Sequence, residues 1–433
     1  MDKFVISGWD QLNGKVRIHG AKNSALPLLA ASILAEEKVV IRDVPNLRDV
    51  RAMVKIITEL GGTVIRSSEG MQINTVHLNS GTIPKKLMQE MRSSIVICGS
   101  IINKIGWVKV SPPGGCAIGN RPIDLHLKGF KKLGCEIFEK NDEILIKAPK
   151  HGLKGAKIEL DYPSVGATEN VMMAAAQAKG TTEIYNPAKE PEIQDLANFI
   201  NALGGNVKGA GTEKITIEGK QSMQGTDYRI IPDRIVAGTY MLAGAITRSE
   251  ITLTNVVPEH IRGLANLLEQ CGVQVIFGEK NVTISAKNRN IVSPKHVTTQ
   301  PYPGFPTDMQ PQLLAFSCFT EGTSFITEKI FDGRFNHVPE LRKLGAKIEV
   351  KKQTAKVTGV SVLSGTVVEA TDLRAGAALV LAALGAEGVT VIENIDHIER
   401  GHESFDEDLK SLGANILRIP KNQITHLSNE NAY

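Results

Sequence analysis

Two kinds of helical segment alternate along the chain. One kind is apolar nearly all round and rich in small residues, as in SALPLLAASILA, SSIVICGSII, TENVMMAAAQA and RAGAALVLAAL. Six such segments begin near Lys22, Arg92, Val165, Asp233, Asp308 and Asp372. A helix without a polar face has to be buried, and Ala and Gly let its neighbours approach closely. The other kind is amphipathic and runs into a glycine: Leu60-Gly61-Gly62, Leu133-Gly134-Cys135, Leu203-Gly204-Gly205, Cys271-Gly272-Val273, Leu344-Gly345-Ala346 and Leu412-Gly413-Ala414. A β-branched residue follows each within three positions. This pattern predicts a left-handed helix C-cap and then a strand. After each buried helix comes a further strand: VVIRDVP, WVKVSPP, TEIYNPA, ITLTNVV, SFITEKI and VTVIENI.

All three signals return in phase roughly every 70 residues, the mark of a structural repeat. The chain therefore reads as six copies of one α/β unit, each with a buried helix, a strand, a loop, an amphipathic helix, a Gly cap and further strands. No copy could bury its own apolar faces. Three copies per domain, with the buried helices inside and sheets around them, would do so, and 433 residues suit two such domains.

The starts of the buried helices carry the candidate chemistry. They are Lys22-Asn23, Arg92-Ser93-Ser94, Ser164-Val165-Gly166, Asp233-Arg234, Thr307-Asp308 and Asp372-Leu373-Arg374. The free N–H groups of a buried helix start need a side chain, ordered water or a ligand. Asp233, Asp308 and Asp372 could be simple caps. Lys22, Arg92 and Arg374 oppose the helix dipole, which makes sense if an anion lies between. Arg121, Arg334 and Arg400 occupy the loops after the repeated strands, and their planar forks suit phosphate or carboxylate. The alternative for each cation is an ordinary surface side chain.

Composition narrows the partners. The net charge of +4 is too small to argue for nucleic acid or a membrane surface. The longest apolar runs are too short to span a bilayer, and no secretory signal is visible, so a cytoplasmic protein is expected. Five cysteines without a CxxC spacing argue against a disulfide framework or a zinc site. Cys98, Cys135, Cys271 and Cys318 read as passive buried thiols. Cys116 differs. It lies in PPGGCAIGNRPIDLH, a loop about five residues longer than its counterparts, among Gly114, Gly115 and Gly119 and near Arg121. Cations favour a thiolate, and a thiol of pKa about 8.5 can serve as a general acid. Asp308 is the best candidate for a matching base.

At these residues the chain resembles the enolpyruvyl transferases that act on UDP-N-acetylglucosamine. GAKNSALPLLAA, MRSSI, PGGCAIGNRPIDLHLKG, PSVGATEN, IPDRIVAGT, YPGFPTDMQ, RFNHVPEL, TDLRAGAAL and IERG carry the resemblance over nearly the whole chain. It implies a two-domain inside-out α/β barrel of six βαβαββ-type units. The first domain would span 22–231 and the second 1–21 with 232–433, with ligands in the cleft between them. It also implies transfer of enolpyruvyl from phosphoenolpyruvate to the 3′-hydroxyl of UDP-N-acetylglucosamine, the first committed step of peptidoglycan synthesis, without metal or organic cofactor.

Residue roles follow from the resemblance. Cys116 would protonate the methylene carbon of phosphoenolpyruvate, and Asp308 would accept the proton of the sugar hydroxyl. Lys22, Arg121 and Arg400 would hold phosphoenolpyruvate, with Arg374 alongside, and Asn23 would touch both substrates. Arg92, the run Arg121, Pro122, Ile123, Asp124 and Leu125, together with Ser164, Val165, Gly166, Asp308 and Ile330, would bind UDP-N-acetylglucosamine. Tyr162 and His402 depart from the family pattern, where a basic residue and an aromatic are usual. Two other readings stay open at this stage: a sibling transferase with another acceptor, such as a shikimate phosphate or a uridine nucleotide, and a non-catalytic paralogue that binds UDP-sugar as a regulator.

Overall fold

The computed structural model describes residues 2–114, 118–119 and 121–420. Within them the chain divides into two compact units. One comprises 20–114 and 121–231; the other comprises 2–19, 118–119 and 232–420. Cys116 lies outside the described residues.

In the first unit the buried helices are Lys22–Ala31, Cys98–Ile105 and Val165–Ala175, the second entered through a 3-10 turn, Arg92–Ile97. In the other unit they are Arg234–Ile246, Gln310–Ser317 and Leu373–Gly385, the second again entered through a 3-10 turn, Thr307–Met309. Within each unit the three helices pack on one another. Leu28, Ile101, Val171, Leu242, Leu314 and Leu381 among them are fully buried, as segments without a polar face require.

The six amphipathic helices are Arg48–Glu59, Asp124–Lys132, Pro191–Ala202, Pro258–Gln270, Val338–Lys343 and Phe405–Ser411. All six end alike. Gly61, Gly134, Gly204, Gly272, Gly345 and Gly413 have φ between 94° and 98°. The next N–H reaches back five residues in each case: Gly62 to Ile57, Cys135 to Phe130, Gly205 to Ile200, Val273 to Leu268, Ala346 to Leu341 and Ala414 to Leu409. The left-handed cap closes the helix and aims the chain into a strand, at a φ that any Cβ would oppose.

Each repeat contributes one small open sheet. Five have four strands and one has three. In the four-stranded sheets, an edge strand runs parallel to the strand that follows the buried helix, and two antiparallel strands complete the sheet, joined as a hairpin in all but the last. Among the described residues no sheet closes on itself, so the expected barrel is a set of separate sheets around helices. Three edge or hairpin strands come from far along the chain. Asp227–Arg229 completes the sheet of Val39–Arg42. Asn13–Arg17 lies parallel to Glu250–Thr254, and Lys3–Ser7 is the centre of the last sheet, between Val389–Glu393 and Asn415–Ile419.

Two of the open questions at the helix starts are answered by hydrogen bonds. Asp233 Oδ1 accepts from the N–H of Ile235 and Val236 at 2.8 and 3.0 Å. Asp372 Oδ1 accepts from Arg374 and Ala375 at 2.8 and 3.0 Å. Both are caps. Ser164 also caps, accepting from Ala167 at 3.3 Å.

Candidate active site

Asp308 does not cap its helix; Pro306 holds that position and no side chain bonds the helix start. Its carboxylate turns instead to two buried arginines. Oδ1 meets Arg334 Nη2, and Oδ2 meets Arg374 Nη2 at 2.9 Å. The two guanidinium side chains are 1% and 2% exposed, whereas Asp308 is 29% exposed and so remains reachable. An ionised Asp308 leaves this trio with one positive charge. Arg374 Nε and Nη1 have no hydrogen-bond partner among the described residues. A buried guanidinium with two open donors is suited to an anionic ligand.

The surroundings of the trio are fixed by Glu328, which is 1% exposed. Its Oε1 accepts from Thr299 Oγ1 and Ile330 N–H, both at 2.8 Å, and from Phe331 N–H at 3.1 Å. Its Oε2 accepts from Thr307 Oγ1 at 3.0 Å. One carboxylate therefore ties the turn that bears Asp308 to the loop that bears Ile330 and Arg334. His337 lies behind that loop, with Nδ1 3.1 Å from the carbonyl of Arg334. Burial, above all, pushes its pKa down to about 4, so at neutral pH the ring is uncharged and its Nδ1–H donates.

Arg400 ends the 3-10 turn Ile395–Arg400, which packs on the helix Leu373–Gly385, and is 9% exposed. A Cβ on the next residue, Gly401, would lie 3.3 Å from Arg374 Nη1, so the glycine keeps that guanidinium face clear. His402 is buried and stacks on Phe405 with ring centroids 4.3 Å apart and planes at 21°. Tyr162, the other departure, is 43% exposed.

In the unit of residues 20–114 and 121–231, Lys22 and Asn23 open a helix that has no side-chain cap. Lys22 is buried and its Nζ lies 3.4 Å from Asp49 Oδ2. Arg92 begins the turn Arg92–Ile97 and is half-buried. Burial, and then the charge of Arg121, lowers its pKa to about 10. Pro122 and Asp124 are exposed, Ile123 and Leu125 half-buried, and Asp124 opens the next helix. Val165 and Gly166 form the first turn of the buried helix capped by Ser164. Lys22, Asn23, Arg92, Arg121–Leu125 and Ser164–Gly166 thus belong to one compact unit, and Asp308, Ile330, Arg374 and Arg400 to the other.

Some residues around these sites were not singled out from sequence. Glu328 follows the strand Thr323–Thr327 and Asp49 lies in the first turn of an amphipathic helix, places where an acid carries no local signal of a role. Arg334 was noted as a loop cation without a role, and nothing in the spacing paired it with Asp308. Cys98, Cys135, Cys271 and Cys318 are all buried, and burial raises each thiol pKa. No cluster of three or more His, Cys, Asp or Glu that could hold a metal ion occurs among the described residues.

The EPSP synthase (3-phosphoshikimate 1-carboxyvinyltransferase) family model matches residues 6–409. UDP-N-acetylglucosamine 1-carboxyvinyltransferase 2 of Caldanaerobacter subterraneus subsp. tengcongensis is 48% identical, over 97% of this chain and 100% of its own. The UDP-N-acetylglucosamine 1-carboxyvinyltransferase of Finegoldia magna is 47% identical, over 94% of this chain and 96% of its own. Among solved structures, the enolpyruvyl transferase NikO from Streptomyces tendae superposes with a TM-score of 0.87 at 25% identity, over 97% of this chain and 99% of its own. EPSP synthase from Acinetobacter baumannii shares the fold, with a TM-score of 0.75 at 17% identity, over 97% of this chain and 100% of its own. Match and fold agree with the six-unit repeat, and the chain belongs to the EPSP synthase family of carboxyvinyltransferases, with the UDP-N-acetylglucosamine 1-carboxyvinyltransferases as its kin.

Proposed function

We propose that this chain transfers the enolpyruvyl group of phosphoenolpyruvate to the 3′-hydroxyl of UDP-N-acetylglucosamine and releases phosphate. The observation that carries the reading is near-full-length identity of 45% to 48% with relatives bearing that activity's name. Identity to EPSP synthase structures is far lower, at 17% and 18%, so a shikimate phosphate acceptor is not favoured.

In the proposed reaction, Cys116 gives its proton to C3 of phosphoenolpyruvate, and C2 gains oxocarbenium character. The sugar 3′-oxygen bonds to C2 and its proton passes to Asp308. The resulting tetrahedral carbon holds a carboxylate, a phosphate and the new ether. Loss of a C3 proton, back to the Cys116 thiolate, and of phosphate then restores the double bond and the thiol. Lys22, Arg121, Arg374 and Arg400 hold the phosphate and carboxylate, and Asn23 touches both substrates. The buried Arg334–Asp308–Arg374 trio supports this assignment, because charges fixed beforehand stabilise developing charge without reorganisation. Arg92, Arg121–Leu125, Ser164–Gly166 and Ile330 bind the UDP-sugar.

The product commits the sugar to peptidoglycan, and through the wall to cell shape and division. A cytoplasmic location suits both substrates, and no described helix is long and apolar enough to cross a membrane. The test is phosphate release from phosphoenolpyruvate with UDP-N-acetylglucosamine, with the enolpyruvyl ether identified by mass. Wild type should turn over and Cys116→Ala should lose at least about 100-fold. Equal rates would overturn the acid assignment, and an inactive wild type would overturn the whole reading.

A further inference from the structure

His126 lies one residue beyond the run Arg121–Leu125 and is only 6% exposed. Its Nδ1 is 2.8 Å from Asn170 Nδ2. Two backbone groups fix which way that amide points. Asn170 Oδ1 accepts from Gly99 N–H at 2.7 Å, and Nδ2 donates to the Ile95 carbonyl at 2.9 Å. The amide group facing His126 is therefore a donor. Nδ1 must accept, and the single proton of the neutral ring is on Nε2. Burial, and then the nearby charge of Arg92, pushes the ring pKa down to about 3, so the ring does not take a second proton in the neutral range.

The other edge of the ring faces the start of the buried helix. A Cβ on Gly166 would lie 3.1 Å from Cε1 and 3.4 Å from Nε2. The glycine lets the Nε2 edge come close to the first helical turn, whose leading N–H groups are unpaired by helix geometry. Arg92 and Arg121 stand near enough for each charge to be felt by the other, and Arg92 is felt by His126. Two cations, a helix start and one neutral N–H donor thus belong to the same part of this unit.

We infer that His126 is a binding residue for the nucleotide substrate, its Nε2–H locked by Asn170 as a donor to a diphosphate oxygen of the UDP-sugar. A neutral donor adds specificity there without adding a third positive charge beside Arg92 and Arg121. Asn170 is then a positioning residue that acts through His126. The inference rests on the proposed UDP-sugar reading and names a further residue for it.

The experiment titrates the full chain with UDP and measures KM for both substrates, in wild type, His126→Phe and His126→Gln. Thermal midpoints check that each variant is folded. His126→Phe should weaken UDP and raise KM for UDP-N-acetylglucosamine about tenfold, the effect of one donor to a charged oxygen. KM for phosphoenolpyruvate should stay within about twofold, since only the nucleotide loses a donor. His126→Gln, which can still present an N–H, should recover part of the loss. Nitrogen NMR of the wild-type ring should find the proton on Nε2, with its resonance moving when UDP is added. Unchanged UDP affinity in a folded His126→Phe, a proton on Nδ1, or both KM values rising together would overturn the inference. A wild type that binds UDP but does not turn over would instead sink the parent reading alone.

Discussion

Asp308 and Arg374, 66 residues apart, meet at 2.9 Å, Oδ2 to Nη2. That contact brings the start of the fifth buried helix to the start of the sixth. It also leaves Arg374 Nε and Nη1 buried without a hydrogen-bond partner among the described residues, while Asp308 keeps nearly a third of its side chain in reach of solvent. Asp308→Asn keeps the shape and removes both the charge and the basicity. Turnover should fall at least about 100-fold, the usual worth of a positioned acid or base. Steady-state rates at saturating substrates check this, and a variant retaining a tenth of the wild-type rate would remove Asp308 from the proton path.

Among the five cysteines, Cys98, Cys135, Cys271 and Cys318 are buried with raised thiol pKa values, and are poor nucleophiles. Cys116 has glycines on both sides in sequence and is the expected reactive thiol. The epoxide antibiotic fosfomycin should therefore add once per chain, at Cys116. Peptide mass analysis after exposure decides it, and an adduct on another cysteine or none at all would contradict the assignment.

Glu328 receives four hydrogen bonds from around the Asp308 turn and the Ile330 loop. A glutamine there can still accept the three bonds at Oε1 while its amide donates to the Thr307 hydroxyl. Glu328→Gln should keep activity within about tenfold, whereas Glu328→Leu leaves two backbone N–H groups and two hydroxyls without an acceptor. Each orphaned buried group costs roughly 1–3 kcal/mol, so the leucine variant should lose both stability and turnover. Urea midpoints and rates measured together check this. Full activity in Glu328→Leu would show that the network does not position Asp308.

Glu169, on the third buried helix, is buried. Burial first, and then the charges of Glu192 and Glu190, pushes its pKa well above the ordinary 4.5. The folded chain therefore holds a proton there that the unfolded chain releases above pH 4.5. Stability from this group is complete below that pH and declines as the pH rises towards the folded pKa. Glu169→Gln has no proton to lose. Its melting temperature should gain on wild type as the pH rises above the ordinary 4.5 towards the folded pKa, as linkage requires. Calorimetry across that range tests it, and a constant difference would show that Glu169 does not titrate differently on folding.

What could be read from sequence follows the range of the forces involved. The six glycine caps are local, since one φ decides each, and all six lie where the repeated Leu-Gly or Cys-Gly pair placed them. The buried helices were legible because a segment with no polar face has only one environment. Asp233 and Asp372 were recognisable as possible caps, but only the structure separated them from Asp308, which lies inside its turn, past the cap position at Pro306, and has a different partner. That partner choice depends on Arg334 and Arg374, brought in from 26 and 66 residues away. No local pattern encodes it. His126 was hidden for the same reason: a lone histidine on a helix reads as core until Asn170, 44 residues on, fixes its proton.

The borrowed strands bear on how the chain is made. Lys3–Ser7 and Asn13–Arg17 leave the ribosome hundreds of residues before the strands they will pair with. Residues 20–231, by contrast, hold every strand of their own sheets, including Asp227–Arg229, which completes the first. The segment bearing those two strands therefore waits for its partner strands, while residues 20–231 can fold during synthesis. Until then its unpaired edges are exposed to other chains. Lys3, Lys15 and Arg17 are well placed to keep that waiting segment soluble, and the last sheet of the unit that carries Asp308 can close around Lys3–Ser7 only once Val389–Glu393 and Asn415–Ile419 have been made.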